Sequence, residues 1–268
     1  MSSVGLVEDR FPGRPGLNEI TQILDDVYQR SPSRFPSSEL FSEGWMLRLV
    51  LDWYSKDVNR ATTEKHTLHF CENSRWFSEA GLRSPLKGDC AQADGVIGDF
   101  EIRDGTKSGI RVKQDAAQFV VVEAKMGSKL AKGTKEHREY DQVTRSILCA
   151  CFEAANGGVL PDALPAGIRV IVVGPDELFS KDDNAQRLKQ DGDTSFLRRA
   201  GEKLTKGPWS KGADRHLIGA YLDRVKAVAV SWKEVIDEIA CVQPAIAVRF
   251  TKFYESCRVA NRLFPLAK

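Results

Sequence analysis

Three charged residues beside apolar runs have the types and spacing that metal-dependent phosphodiester chemistry requires. The run Phe-Val-Val-Val at 119 to 122 is typical of a strand buried on both faces, and it leads directly into Glu123-Ala124-Lys125. Side chains alternate along a strand, so Glu123 and Lys125 project from the same face. Charges at the end of a core strand are costly to desolvate unless they pair or bind a metal. Asp94 on a neighbouring strand would complete an acidic pair beside a lysine, an arrangement that can hold a divalent metal next to a phosphodiester.

The order of these residues resembles the pattern of the PD-(D/E)XK nuclease superfamily, also called restriction-endonuclease-like. That pattern is an acidic residue on one strand, a gap of a few tens of residues, and Asp/Glu-x-Lys on the next strand. Here Asp94 stands for the acid, residues 95 to 122 intervene, and Glu123-Ala124-Lys125 is the final element. The usual Pro before the Asp is Ala93, a replacement that the superfamily commonly tolerates. The resemblance covers residues 38 to 155.

Two flanking residues extend the resemblance. Many members carry a glutamate on a helix before the first strand, where this chain has Glu43. Many also carry a Gln with a nearby Tyr on the helix after Glu-x-Lys, where this chain has Tyr140-Asp141-Gln142. The resemblance implies catalytic roles for Asp94, Glu123, Lys125, Glu43 and Gln142. It implies that Mg²⁺, or alternatively Mn²⁺, is held by Asp94, Glu123, the main-chain carbonyl of Ala124, and Glu43.

The expected chemistry follows from the properties of these groups. Magnesium binds through one or two carboxylates together with waters and substrate phosphate, and it activates a bound water while polarising the phosphoryl oxygen. Lys125 would orient the attacking water or neutralise charge that develops on the phosphorane, a contribution of roughly 3 kcal/mol for comparable electrostatic groups. Gln142 would position its helix against the active strand or contact the DNA backbone.

Each residue taken alone has an ordinary structural explanation. Glu123 and Lys125 could form a simple same-face ion pair, and Asp94-Gly95 could be a turn. Asp99 is a rival strand acid, and Glu43 alone suits a capping or solvated position. The prediction therefore depends on the order and spacing of helix Glu, strand Asp, strand Glu-x-Lys, and a helix with Tyr and Gln.

Composition sets the outer limits. The chain has 268 residues, 42% of them hydrophobic and 28% charged, with a net charge of +2. These values are those of an ordinary globular protein able to bury a sizeable core. A run of about eighteen apolar residues is lacking, so we expect no membrane span. The N-terminal sequence lacks a signal-peptide pattern, so we expect a cytoplasmic protein.

The periodicity of apolar residues predicts the elements around the site. Helices are expected at 17 to 30, about 38 to 56, 136 to 154, and 233 to 262; strands are expected at 93 to 102, 117 to 125, 168 to 173, and 225 to 232. The polar segment 104 to 109 favours a hairpin or meander. The helix before the run at 168 suggests a parallel crossover, which gives the core order strand, strand, helix, strand.

We therefore predict an α/β fold: a restriction-endonuclease-like mixed central sheet flanked by helices, with helical N- and C-terminal decorations. The whole chain, 1 to 268, is expected to form one domain. Its core would span approximately 38 to 175, after an irregular arm at 1 to 16 and before a C-terminal decoration at 176 to 268.

Support for contact with DNA comes from a basic segment that follows the Glu-x-Lys strand. Such segments bind the phosphate backbone without reading bases, and a solvated loop is the alternative interpretation. The predicted nucleic-acid contacts are Lys129, Lys132, Lys135, Arg138 and Arg145.

The function expected from the sequence is that of a magnesium-dependent deoxyribonuclease acting in restriction, defence or repair. The alternative is a catalytically inert PD-(D/E)XK-like module that binds nucleic acid or a partner protein. DNA is the expected partner, and a homodimer or a separate partner protein is possible. Motifs of dinucleotide-binding, P-loop and serine-hydrolase folds are lacking.

Overall fold

The computed structural model describes residues 37–56, 59, 63, 65–87, 89–130, 140–192, 194–206 and 214–261, together with positions 22, 26 and 29. The chain divides into two compact units, Met1–Leu40 and Phe41–Lys268. The described helix of the first unit is α1, Ser37–Leu40. The predicted arm at 1 to 16 lies outside the described residues, as does most of the helix predicted at 17 to 30.

The second unit contains both strands and helices. Its described strands are β1 (Arg75–Arg83), β2 (Cys90–Gly98), β3 (Phe100–Ile102), β4 (Ile110–Val112), β5 (Phe119–Ala124), β6 (Ile168–Gly174) and β7 (Lys226–Ser231). Its described helices are α2 (Glu43–Ser55), α3 (Gln142–Asn156), α4 (Asp176–Lys181), α5 (Asp183–Asp191), α6 (Thr194–Lys206), α7 (Arg215–Leu222), α8 (Trp232–Val242) and α9 (Pro244–Asn261).

Five strands form one mixed sheet in the order β1-β2-β5-β6-β7. The pairs β1–β2 and β2–β5 are antiparallel, whereas β5–β6 and β6–β7 are parallel. The parallel step from β5 to β6 passes through α3, as the sequence predicted. The mixed α/β class, with helices flanking a mixed sheet, is thus confirmed.

The composition of β5 and β6 explains why these strands are buried in the centre of the sheet. All six residues of β5 are buried, and β6 is buried at every position except Arg169. Their β-branched side chains suit a strand covered on both faces. Full burial of one such side chain contributes about 1.5–3 kcal/mol, so these strands anchor the charged residues that follow β5.

Helices cover both faces of this sheet. On one face α3 packs against the strands, with Ile147 and Leu148 in the same buried cluster as Val121 and Val170. On the other face α2 approaches β2 at Gly95. A Cβ atom placed there would lie 3.0 Å from side-chain atoms of both Leu47 and Leu51, so a glycine permits this close approach.

Several boundaries differ from those predicted. The helix expected at 38 to 56 is interrupted, because Ser42 adopts an extended conformation and its hydroxyl caps α2 by accepting from the Trp45 N–H. The strand expected at 93 to 102 bends at Asp99. Its last residues form β3, which pairs with β4 in a separate two-stranded sheet. The polar segment 104 to 109 therefore joins β3 to β4 rather than β2 to β5.

The central sheet also extends beyond the predicted core. Its fifth strand, β7, comes from the region expected to be a C-terminal decoration, and it pairs with β6 in parallel register. Helix α8 begins directly after β7 with a capping box, in which Ser231 and Glu234 each bond to the other's backbone N–H. Among the described helices, none is long and apolar enough to cross a membrane.

Candidate functional site

Glu123 lies at the end of β5 and faces helix α3. Its side chain is buried, with 1% of the residue exposed. Ser146 donates to one carboxylate oxygen, Oε1, at 2.7 Å, and the Gln142 side-chain amide donates to the other, Oε2. Because residues four apart lie on one side of a helix, Gln142 and Ser146 reach the same carboxylate together. The carboxylate of Glu123 is thereby fixed in orientation.

The first turn of α3 is held in place by Asp141. This residue is the N-cap: its carboxylate accepts from the Thr144 N–H at 3.0 Å and from the Thr144 hydroxyl at 2.7 Å. Arg199 from α6 forms an ion pair with the same carboxylate at 3.2 Å. An N-cap and a carboxylate at a helix N-terminus both stabilise the first turn, which places Gln142 beside Glu123.

Asp94 lies on β2 opposite the end of β5. The register that pairs Gly95 with Val122 sets Asp94 across from Glu123. Its Oδ2 atom accepts from the main-chain N–H of Ala124 at 2.7 Å, and its side chain is 26% exposed. Asp94 is thus tied to β5 and remains open to solvent on one side.

Lys125 brings a positive charge between the two carboxylates. Its Nζ atom lies 3.5 Å from Asp94 Oδ2 and 4.0 Å from Glu123 Oε2. It also donates to the main-chain carbonyl of Ala124 at 3.0 Å. Three oxygens from three residues therefore surround one cation. With two carboxylates against one ammonium, the cluster of Asp94, Glu123 and Lys125 carries a net negative charge when fully ionised.

The pKa of the Glu123 carboxyl is raised above its ordinary value. Burial and, second, the neighbouring charge of Asp94 raise the pKa of this carboxyl, which lies at about 7 instead of 4.5. Lys125, the hydrogen bond from Ser146 and the charge of Arg145 each lower the pKa, but they compensate only in part. A second cation near Glu123 and Asp94 would favour the ionised form of both.

Two residues distant in sequence support the backbone at Lys125. The indole N–H of Trp232, the first residue of α8, donates to the Lys125 carbonyl at 2.8 Å. Gly174 on β6 lies alongside, since a Cβ atom at that position would be 3.6 Å from the Lys125 Cβ. The backbone of Lys125 is thus fixed between β6 and α8.

Of the predicted catalytic residues, Asp94, Glu123, Lys125 and Gln142 come together and Glu43 does not join them. Glu43 is the first residue of α2, on a helix before the first strand as the sequence predicted, and it is half-buried. Burial and, second, the charge of Glu43 raise the thiol pKa of Cys257 on α9. Among the described contacts, none links Glu43 to the other four residues. The rival acid Asp99 instead pairs with Lys113 at 2.9 Å.

The predicted nucleic-acid contacts are only partly covered by the structure. Arg145 lies on α3, half-buried, with its Nε atom buried and without a hydrogen bond. Lys129 is exposed in the segment after β5. Lys132, Lys135 and Arg138 lie outside the described residues.

Two residues that contact the site, Ser146 and Trp232, were not predicted from the sequence. Ser146 could have been found, because it lies four residues after Gln142 on the predicted helix. Trp232 gave no local signal, since 107 positions separate it from Lys125.

The donor set fits a cation that prefers oxygen ligands. The described residues contain no group of three or more His, Cys, Asp or Glu side chains that could hold a metal. Asp94 and Glu123 supply two carboxylates and Ala124 a carbonyl, which matches the one or two carboxylates plus waters typical of Mg²⁺. The Lys125 ammonium already lies among these oxygens, so a cation is compatible with their arrangement.

Comparison of the chain with protein-family models, with curated proteins and with solved structures found no match.

Proposed function

We propose that this protein is a metal-dependent nuclease that hydrolyses phosphodiester bonds of DNA, with a restriction-endonuclease-like arrangement of its sheet. One observation carries the proposal: Asp94, Glu123 and the Ala124 carbonyl converge within 4.0 Å of the Lys125 Nζ atom, where the middle of β2 lies beside the end of β5. The order of these residues along the chain and their resemblance to the PD-(D/E)XK pattern support the same function.

Mg²⁺ or Mn²⁺ would be held by the carboxylates of Asp94 and Glu123 and by the carbonyl of Ala124. When bound, such an ion supplies a water of lowered pKa and polarises a phosphoryl oxygen. Glu123 keeps a fixed geometry for this role because Gln142 and Ser146 hold its two oxygens. Asp94 is held through the Ala124 N–H, which leaves part of its carboxylate available.

Lys125 is the group that would contact the scissile phosphate. Its ammonium has three donors, and one of them is used on the Ala124 carbonyl. The others would donate to a non-bridging phosphate oxygen or orient the attacking water. Because the residue is only 8% exposed, such a contact would be shielded from bulk water and correspondingly strong.

Cationic residues next to the site would bind the DNA backbone. Arg145 is close enough to lower the pKa of Glu123 by its charge, and the residue is only half-buried. Lys129 is exposed shortly after Lys125 in the chain. Contacts of this kind give affinity that falls with salt and carries no sequence preference.

The test is cleavage of single- and double-stranded DNA with Mg²⁺ or Mn²⁺. We expect cleavage by the wild type, and loss of at least about a hundredfold in rate for Lys125→Ala and for Asp94→Ala. Asp99→Asn is the matched control, because it removes a carboxylate near β2 that pairs elsewhere. Metal-independent cleavage, or equal cleavage by all four proteins, would contradict the proposal.

The second candidate is a catalytically inert module that binds nucleic acid or a partner protein. It is favoured by the position of the Lys125 ammonium, which partly neutralises the carboxylates and donates to the carbonyl that would face a metal. Binding of DNA without cleavage, together with no binding of Mg²⁺ or Mn²⁺ by calorimetry, would identify this function instead.

A further inference from the structure

A second site lies along the edge strand β7 and the start of β6. It is a cleft of about 1270 Å³. Arg169, which lines it, pairs in register with Val120, whereas Glu123 pairs with Val172. Three residues along a strand correspond to about 10 Å, and an odd separation places side chains on opposite faces. The cleft is therefore distinct from the cluster of Asp94, Glu123 and Lys125.

The lining of the cleft combines an apolar surface with several cations. Its apolar part includes Leu164, Ile168 and Val228, and its basic part includes Lys65, Arg169 and Lys226. Lys65 and Lys226 are exposed, so they lie where a ligand would enter. Such a combination, a mostly apolar wall with a few directed polar groups, is typical of sites for small organic ligands.

Arg169 is the residue whose environment indicates an absent partner. Its Nη2 atom lies 3.1 Å from Nδ1 and 3.3 Å from Nε2 of His69, and its Nε is buried without a hydrogen bond. Its Nη1 atom donates to the Thr67 carbonyl at 3.5 Å, and among the ion pairs of the described residues none joins Arg169 to a carboxylate. Burial lowers the pKa of its guanidinium. A partly buried cation without a counter-ion is costly, and an oxyanion would offset that cost.

Four carboxylates line the cleft; Asp223 and Asp237 are exposed, and the other two are engaged by other groups. Glu238 accepts from the Tyr54 hydroxyl at 3.0 Å and from the Thr67 hydroxyl at 3.2 Å. Glu234 forms an ion pair with Lys189 and accepts from the Ser231 N–H. These two acids are therefore satisfied without Arg169, which also lines the cleft.

We propose that this cleft binds a small organic phosphate monoester. Its phosphate would lie on Arg169, whose planar fork of donors suits bidentate contact with phosphate. Lys65 and Lys226 would balance its second negative charge, and the organic part would pack on Leu164 and Val228. The cleft is large enough for a ligand of nucleotide size. This assignment is independent of the nuclease function.

Calorimetric titration of the full chain with phenyl phosphate tests the assignment. We expect binding by the wild type and a loss in affinity of at least about tenfold for Arg169→Gln. Arg249→Gln is the matched control, because Arg249 is exposed on α9 and does not line the cleft. Inorganic phosphate, which lacks the apolar part, and benzoate, which carries one negative charge, should both bind more weakly than phenyl phosphate.

The location of binding is read from the ring signals of the histidines by NMR. Phenyl phosphate should shift the signals of His69 and leave those of His216, exposed on α7, in place. If Arg169→Gln does not fold, Lys226→Gln provides a second variant, since Lys226 is exposed; a loss of about threefold is expected from removing one charge at the rim.

Three results would overturn the assignment. The first is no binding of phenyl phosphate at millimolar concentration. The second is binding that is equal in the wild type and the folded variant or that leaves His69 unshifted. The third is Arg169-dependent binding of a DNA duplex that is tighter than that of phenyl phosphate, because the site would then recognise the phosphates of a nucleic acid rather than a small molecule.

Discussion

Helix α3 contributes to two groups of buried charges. They differ in whether each carboxylate has a cation of its own. Near its C-terminal end Glu153, with none of its side chain exposed, accepts from the Arg83 main-chain N–H at 2.6 Å and from Nη2 at 2.6 Å, with further bonds from Nε. At its N-terminal end Glu123 shares one ammonium with Asp94, at 4.0 and 3.5 Å.

The difference separates a structural ion pair from a site suited to binding. Each carboxylate oxygen of Glu153 is bonded by a donor of Arg83, so nothing further is required there. The cluster of Asp94, Glu123 and Lys125 has one positive charge too few, and burial together with the charge of Asp94 raises the pKa of Glu123 to about 7. Unmatched charge held rigidly in a core is costly, and such clusters are candidates for function for that reason.

The largest expected change in stability comes from breaking the ion pair of Arg83 and Glu153. Arg83→Met should lower the free energy of unfolding by about 3–5 kcal/mol, because it leaves the buried Glu153 carboxylate without a positive partner and with only the main-chain N–H of residue 83 as a donor from that position. Denaturant unfolding measures this change. The control is Arg111→Met, which breaks the exposed pair with Glu101 and should cost about 0–1 kcal/mol. Equal losses in the two variants would show that the Arg83 pair is not structural.

The next largest change in stability concerns the cluster of Asp94, Glu123 and Lys125. Here a substitution should stabilise the protein. The pKa of Glu123 is 4.5 in the unfolded chain and about 7 in the folded protein. The folded state therefore holds more protons between these values, and stability falls as pH rises from about 4.5 to 7. Glu123→Gln removes this dependence, so in the absence of metal it should be more stable than wild type by about 3 kcal/mol at pH 8.

Unfolding at pH 5 and pH 8 in EDTA checks this expectation. Asp99→Asn is the control, since the Asp99 carboxylate is paired with Lys113. A Glu123→Gln variant that is no more stable than the wild type at pH 8 would mean that the charges around Glu123 are already balanced.

A divalent cation should supply the positive charge that the cluster of Asp94, Glu123 and Lys125 lacks. At pH 8 and a hundredfold excess of Mg²⁺ over its dissociation constant, we expect the wild type to gain about 2.7 kcal/mol in the free energy of unfolding. Asp94→Asn should lose most of this gain, whereas Arg83→Met should keep it because the Arg83 pair lies outside the cluster. Thermal unfolding with increasing Mg²⁺ measures the gain, and a similar gain in Asp94→Asn would place the ion elsewhere.

The smallest effect concerns one hydrogen bond. Ser146 lowers the pKa of Glu123 by donating to its carboxylate, so Ser146→Ala should raise that pKa further and cost about 1 kcal/mol more at pH 8 than at pH 5. Carboxyl titration by NMR measures the shift. Ser256→Ala, on the exposed side of α9, should leave the titration of Glu123 unchanged, and an unchanged titration in Ser146→Ala would contradict the assigned bond.

Parts of this site could be predicted because they depend on local rules. The spacing of two between Glu123 and Lys125 sets both on one face of any strand. The continuous apolar run before them indicates burial, and the helix after them places Gln142 within reach. The helix caps were harder to predict. Ser42 and Asp141 start α2 and α3 through hydrogen bonds from the backbone to their side chains. The spacing of apolar residues does not reveal such bonds.

The sequence by itself determined the mixed α/β class, the buried strand β5, and the charges at its end, since these follow from side-chain periodicity and the cost of burying charge. Only the tertiary structure decided which partners those charges meet. The register of β2 sets Asp94 opposite Glu123, the packing of α8 brings Trp232 to Lys125, and the path of α2 leaves Glu43 beside Cys257. These contacts depend on how strands pair and helices pack over long separations, where hydrophobic burial rather than local spacing determines position.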